Sequence, residues 1–516
     1  MVLFSLCFEV HQPRRIRKDF RSWKTNKISL SEAFETFFDS KLDKEIFERV
    51  YRKCYMPATK IIHDAILEFS NKERPFKVCY SFSGTFLEQL QELHPELLDL
   101  ITEIVKTNHV ELLSQTYYHS LSSIYINDLS EFRYQIEEHR KTIKKLFGYE
   151  TKIFENTELI YNNQVAREVA SLGFDGIITE GADRVLSGRS PHFLYTSSKA
   201  KIKVLLRDYR LSDDIAFRFS NKWWPEYPLT ASKYAQWISN IPDPFVLVFV
   251  DYETFGEHHW PESGIHKFLQ ELPYNINQKD NVIPALPREI VNEVPPSGEI
   301  DVDEKKDTIS WADTNRDLSA WLGNEMQKTI FNEVYSEHKF KHIIDERLTK
   351  LWRYLQISDN YYYMYTGHGG PAEVHRYFSG PLGLPEEVYL AFSNIVFKFK
   401  ELVKDNLLQK ESTKRILLLG LNNEKEFRFA LSKDVELGIA VRGYLDFLDA
   451  LRRVSVVSLE HHTYNTDLEN WFLSCLKDEE TAREISKLRR KKARGEKLRK
   501  ELLRIIERKI KKIMSL

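Results

Sequence analysis

The strongest constraint on the fold of this chain is a rhythm in its first half. Short apolar runs at residues 3–10, 76–82, 110–113, 152–154, 175–179, 201–206 and 245–250 alternate with longer stretches, such as 130–145 and 163–172, whose apolar residues recur at helical spacing. Strand alternating with helix predicts parallel βαβ units. Seven such strands predict an α/β chain built on an open or incomplete (β/α)7 barrel. Barrels of this kind gather their chemistry at the C-terminal ends of the strands. The runs end on His11-Gln12, Ser83-Gly84, Ser114-Gln115, Asn156-Thr157-Glu158, Glu180, Arg207-Asp208 and Asp251-Tyr252-Glu253. Carboxylates and histidine are concentrated there.

The rest of the chain reads differently. Residues 275–307 are loop-rich, with Pro284, Pro287, Pro295 and Pro296, and helical patterns follow at 317–334, 337–357 and 385–407. Past Lys414 come short strand-like runs at 415–418 and 426–431, then helices to the end. The expected organisation is a catalytic barrel over 1–270, a helical domain over 271–412 that completes the active site, and a mostly helical module over 413–516. The Lys- and Arg-rich stretch 484–514 reads as the solvated face of a terminal helix.

Composition narrows the function classes. With 516 residues, the chain exceeds what one core comfortably fills. Its 75 Lys+Arg against 76 Asp+Glu leave a formal net charge of -1, so no global field recruits nucleic acid or an anionic membrane. A neutral substrate such as a sugar polymer fits that balance. No stretch reaches the length of a membrane span, and the apolar N-terminus lacks a basic segment and a cleavage site, so it reads as a strand. Cys7, Cys54, Cys79 and Cys475 form no paired motif. Buried free thiols and a reducing cytoplasm are expected. Self-association is left open.

Two acidic groups on separate strand ends are the minimum for breaking a glycosidic bond, one as nucleophile and one as proton donor. Glu158 and Asp251 have that placement. Glu155, at odd spacing, faces away from Glu158's side of the strand; Glu253, two residues from Asp251, could share its face. The indoles of Trp223, Trp224, Trp260 and Trp311 could stack on sugar or serve the core. His258-His259 and His461-His462 invite a metal, but no accompanying carboxylate–His spacing supports one.

Several segments, in order, resemble the motifs of glycoside hydrolase family 57. They are His11-Gln12-Pro13; residues 111–119, ending Tyr117-Tyr118-His119; Phe154-Glu155-Asn156-Thr157-Glu158-Leu159; residues 251–258, beginning Asp251-Tyr252-Glu253; and residues 355–364, which include Ser358-Asp359-Asn360. Ser310-Trp311-Ala312-Asp313 and residues 316–324 are similar to the α-amylase-like subgroup. The likeness spans roughly residues 1–400.

The resemblance implies an incomplete (β/α)7 barrel followed by a helical bundle, a retaining reaction, Glu158 as nucleophile and Asp251 as general acid/base. It further implies that His11, His119 and Asp359 bind sugar at the cleavage subsite, with no cofactor or metal. Asn360 departs from the subgroup, which usually carries histidine there. The implied activity is α-amylase action on starch, glycogen or maltodextrin, with 4-α-glucanotransferase as the alternative. A metal-dependent deacetylase or mannosidase on a similar barrel is disfavoured, since no aspartate adjoins His11. A non-catalytic sugar-binding regulator is disfavoured by the presence of both carboxylates.

Overall fold

The computed structural model describes residues 1–22, 28–126, 128–341, 343–367, 382–408, 426–432 and 435–515. Strands β1 (Val2–Val10), β2 (Val78–Phe82), β3 (Val110–Leu112), β4 (Ile153–Glu155), β5 (Gly176–Glu180), β7 (Lys203–Arg207) and β8 (Phe245–Asp251) fall on the seven apolar runs. Three short strands are additional: β6 (Tyr195–Ser197), β9 (Val282–Pro284) and β10 (Glu299–Ile300).

One sheet runs β3-β2-β1-β8 with β9 also on β1; the other runs β10-β6-β7-β5-β4. Within the sheets the seven principal strands pair with one another in parallel, whereas the short β6 runs antiparallel to β7. A parallel bridge between Ser114 and Phe154 joins β3 to β4. At the other seam the Asp208 N–H donates to Leu247 O at 2.8 Å, beyond the end of β7. The sheets thus meet through isolated bonds, and the barrel is incomplete.

Alternation along each strand sorts the core into layers. Cys7, Cys79, Ile153, Ile178, Leu205, Leu247 and Phe249 point into the barrel and form one buried cluster. Val2, Phe4, Leu6, Phe8 and Val10 point outward with Val78, Tyr80 and Phe82 against helices such as Met56–Phe69. Phe154, Ile177 and Val204 do the same beneath Ser130–Phe147 and Asn163–Ser171. Both faces of every strand are covered, which is why these runs are continuously apolar.

The chain divides into two compact units. The first holds Met1–Arg21, Glu32–Phe331 and Arg353–Asn394; the second holds Ser22–Ser31, Asn332–Trp352 and Ile395–Leu516. The intervals 1–270, 271–412 and 413–516 cut across these units, because the segment around Asp359 packs with the barrel despite its distance in sequence. In the second unit, antiparallel strands β11 (Phe427–Ser432) and β12 (Val435–Val441) lie with helices Tyr444–Arg453, Val456–Tyr464, Asp467–Ser474, Glu479–Arg490 and Gly495–Ser515. The expected strand at 415–418 lies outside the described residues. The basic stretch 484–514 is two helices, separated where Lys492 and Gly495 take left-handed φ values of 54° and 58°. Its apolar face is buried at Leu498, Leu502 and Ile506. Lys509 and Lys512 pair with Asp478 and Glu480, as a solvated helix face would.

Gly256, in the loop after β8, has φ 135°, and a Cβ there would stand 1.9 Å from the carbonyl oxygen of Lys53. Lys53 lies in the turn Tyr51–Tyr55, whose Tyr55 hydroxyl donates to Glu253. The loop therefore packs on backbone that cannot yield. Gly256→Ala is expected to cost about 3 kcal/mol or more, checked by denaturant unfolding against wild type.

Candidate active site

Six segments converge on one cleft. His11 follows β1, His119 follows β3, Glu158 follows β4, Arg207 ends β7, Asp251 ends β8, and Asp359 lies on the short helix Ser358–Tyr362. All six line one open cleft, with Glu9, Glu253, Trp311, Asp313, Trp321, Tyr362 and Tyr363 among its other walls.

Glu158 is held in an unusual backbone. Its φ and ψ are 59° and 23°, Leu159 follows at φ 52°, and His119 opposite has φ 46°. Non-glycine residues adopt this region at a cost of roughly 1–3 kcal/mol each. The surroundings hold it there. Asn156 Nδ2 donates to Ile160 O at 2.8 Å, the Thr116 and Thr157 hydroxyls meet at 2.6 Å, and Trp311 N–H donates to Glu158 O at 3.1 Å.

The turn presents the carboxylate to donors from three parts of the chain. Trp311 Nε1 donates to Oε2 at 2.7 Å, Ser358 Oγ donates to Oε1 at 2.9 Å, and His119 Nε2 stands 3.6 Å from Oε1. Burial alone would raise its pKa, but the hydrogen bond and charge of His119, with the indole donor, outweigh burial and hold it below the ordinary value. His119 responds in the opposite sense. Burial disfavours its charge, yet Glu158 and Glu9 raise it to about 9.

Asp251 pairs in register with Glu9 across β8 and β1. Burial, reinforced by the charge of Glu158, pushes it up to about 7 against the opposing pull of Arg207 and His119. The environments of the two carboxyl groups thus drive their pKa values in opposite directions.

His11 stacks on His119 with ring centroids 4.0 Å apart. Ser83 Oγ is 2.7 Å from its Nδ1 and Asp359 Oδ2 is 2.9 Å from its Nε2. Burial and the neighbouring charge of His119 lower His11 to about 4, so it is neutral, donating through Nε2 and accepting from Ser83. Burial opposes ionisation of Asp359, but His11, His119 and Arg15 hold it well below the usual range.

The other acids have different environments. Glu155 is not among the cleft-lining residues; it accepts from Ser81 Oγ at 2.7 Å, and burial pushes it up to about 8. Glu253 does line the cleft, but burial and the charge of Asp251 hold it well above the ordinary value despite the Tyr55 hydrogen bond.

The expected aromatic residues part ways. Trp311 lines the cleft, whereas Trp223, Trp224 and Trp260 are not among the lining residues. Trp223 is 94% exposed, Trp224 packs edge-to-face on Trp237, and Trp260 carries the Lys53 ammonium 4.7 Å from its ring. Sequence reasoning missed Ser358, Gln115, Asp313, Trp321, Tyr362 and Tyr363 as site residues. It also missed the ion-pair ring in which Arg207 and Arg316 each contact both Glu180 and Asp213. The strand-end position of Arg207 and Glu180 was the available signal.

The histidine pairs have structural partners. His259 Nε2 reaches the carbonyls of Ile215 and Ala216, and its Nδ1 meets Ser220 Oγ at 2.8 Å. Among the described residues, the atoms of His461, His462 and Asp467 form the one three-ligand cluster, within 4.8 Å. His462 Nε2 accepts from the Ala430 N–H at 2.8 Å, which places the ring proton on Nδ1, 2.8 Å from Asp467 Oδ2. A metal at Nδ1 would move that proton to Nε2, against the Ala430 donor. The donor set does not suit a cation.

Two carboxyls whose pKa values are driven apart, on separate strand ends of an incomplete barrel, suit the acid and base roles that glycosidic cleavage needs. Residues 5–303 match the model of Glycosyl hydrolase family 57, and the chain belongs to that family. It is 42% identical over 445 residues, 84% of this chain and 91% of the other, to a Methanocaldococcus jannaschii protein provisionally named an α-amylase. A 4-α-glucanotransferase from Thermococcus litoralis is 25% identical over 231 residues, 44% of this chain and 32% of the other. The fold of this chain matches that of a family 57 branching enzyme from Thermococcus kodakaraensis with a TM-score of 0.56 at 11% identity, covering 79% of this chain and 91% of that one.

The Trp311 donor contributes directly to keeping Glu158 ionised. Trp311→Phe is expected to raise the Glu158 pKa by about one unit, the worth of one charge-assisted hydrogen bond. Carboxyl titration by 13C NMR, with Glu158→Gln to assign the resonance, checks this.

Proposed function

We infer that this enzyme cleaves α-1,4-glucosidic bonds of starch, glycogen or maltodextrin with retention of configuration. Glu158 is the nucleophile and Asp251 the general acid/base. The observation that carries this reading is the opposed titration of the pair: Glu158 held ionised by His119 and Trp311, Asp251 pushed up to about 7. In the first step the Glu158 carboxylate attacks the anomeric carbon while protonated Asp251 donates its proton to the departing glycosidic oxygen. In the second, Asp251, now a carboxylate, takes a proton from water as it attacks the glycosyl-enzyme. Two inversions return the α configuration. A sugar hydroxyl in place of that water gives 4-α-glucan transfer, the alternative favoured by the likeness to the Thermococcus litoralis glucanotransferase.

In this reading His11, His119 and Asp359 hold the sugar at the cleaved bond. Trp223, Trp224 and Trp260 meet only a longer chain that has left the cleft. Free Cys7 and Cys79, neighbours in register on β1 and β2, support a reducing cytoplasm as the compartment.

Time-resolved product analysis on maltoheptaose tests the reaction. Shorter sugars alone mean hydrolysis, and longer ones mean transfer; absence of both refutes the reading. Glu158→Gln is expected to lose at least about 10^3-fold in kcat. Asp251→Asn should be rescued on an aryl α-maltoside by azide, which needs no general base. Since the acid form of Asp251 is required, kcat/KM should fall as pH rises through about 7. Trp223→Ala with Trp260→Ala should raise KM for long glucan while leaving maltotriose turnover within about twofold.

A further inference from the structure

Beneath the cleft, Gln115 is fully buried and makes three side-chain hydrogen bonds of 2.8 Å. Its Nε2 donates to Glu9 Oε1, at the end of β1, and to Ser81 Oγ, on β2. Its Oε1 faces His119 Nδ1. Ser81 in turn donates to Glu155 Oε2 at 2.7 Å, on β4. One carboxamide thus ties four strand ends to the imidazole that faces Glu158.

The chemistry of the amide fixes its direction. Its NH2 meets two oxygens, and its carbonyl meets a nitrogen, so every hydrogen has an acceptor. The reverse orientation would aim NH2 at a ring nitrogen and leave its second N–H without a partner, a costly arrangement in a buried site. An acceptor at Nδ1 requires that Nδ1 carry the proton. When His119 is charged, its second proton is then on Nε2, toward Glu158 Oε1 at 3.6 Å.

Building on the proposed roles of Glu158 and Asp251, we propose that Gln115 is a positioning residue: it holds His119 with a proton at Nδ1, and so keeps a cation beside the nucleophile. Among the described residues His119 has no other close acceptor at Nδ1; Glu9 Oε1 stands 3.6 Å away and is itself engaged by Gln115. The raised pKa of His119, which Glu158 sustains against burial, agrees with a cation facing the nucleophile. Ring orientation is shared with His11, stacked at 4.0 Å. Without Gln115 the imidazole can rotate or lose a proton, and Glu158 then titrates as a buried carboxyl lacking its partner.

The test uses the full-length enzyme. The groups that bear on its pH profile are Glu9 and His11 from β1, Glu158, Asp251, Arg207 and Asp359. Gln115→Leu removes the acceptor; Gln115→Glu keeps an oxygen facing Nδ1. The acid limb of kcat/KM should move upward by about one pH unit in Gln115→Leu, the worth of a hydrogen bond to a charged group. It should stay within about 0.3 unit of wild type in Gln115→Glu, where the acceptor persists. KM should change less than about twofold in Gln115→Leu, because the residue does not touch substrate. An unmoved acid limb in Gln115→Leu, or an equal move in Gln115→Glu, overturns the proposal.

A second measurement does not depend on the variants folding. In 15N-histidine-labelled wild type, with His119→Asn for assignment, His119 Nδ1 should remain protonated over the whole active pH range. A deprotonated Nδ1 at any active pH overturns the proposal. Turnover by the wild type is read separately, so failure of the proposed reaction is distinguishable from failure of the Gln115 role.

Discussion

The imidazole of His119 set against the carboxylate of Glu158 is the interaction on which the rest of the cleft depends. Neither group would be charged alone in so buried a place, since burial disfavours charge on both. Together, with Trp311 and Ser358 supplying hydrogen bonds, each sustains the other. Around them the protein adopts backbone it would avoid elsewhere, at His119, Glu158 and Leu159. A charged pair in strained turns is retained where the geometry serves a ligand.

The same pair sets the character of Asp251. The negative charge of Glu158 is a cause of the rise in its pKa, second only to burial. A change that weakened His119's hold on Glu158 would therefore alter both carboxyls at once. The ion-pair ring of Arg207, Arg316, Glu180 and Asp213 moderates this: Arg207 lines the cleft, opposes the rise at Asp251, and lies 5.7 Å from the Trp311 ring.

How much of this could be read from sequence follows from the range of the interactions. Strands buried on both faces must be apolar throughout, so seven of them were visible as runs, and their polar ends located Glu158 and Asp251. Helices were visible from periodicity, although the patterns at 317–334 and 484–514 continued through breaks that depend on left-handed residues or on Gly323. Short pairings such as β6, β9 and β10 leave no periodic trace. Ser358 and Arg316 act through partners 200 and 136 residues away, and Gln115 joins its near neighbour His119 to Ser81 and Glu9, 34 and 106 residues away; nothing in their local sequence announces the distant partners. Trp223 and Trp260 illustrate the reverse: an indole is conspicuous in sequence, but whether it faces a cleft is decided by tertiary structure.

Ser358 and Asp359 lie some hundred residues beyond Asp251, and beyond the span 5–303 that carries the family match, yet they pack with the barrel. The barrel's seven principal strands are complete in the chain by Asp251, while the Ser358 donor to Glu158 and the Asp359 acceptor for His11 come later. The site is therefore written discontinuously: a chain cut before Ser358 would keep both carboxyls and lose the Ser358 hydrogen bond to Glu158 and the Asp359 partner of His11.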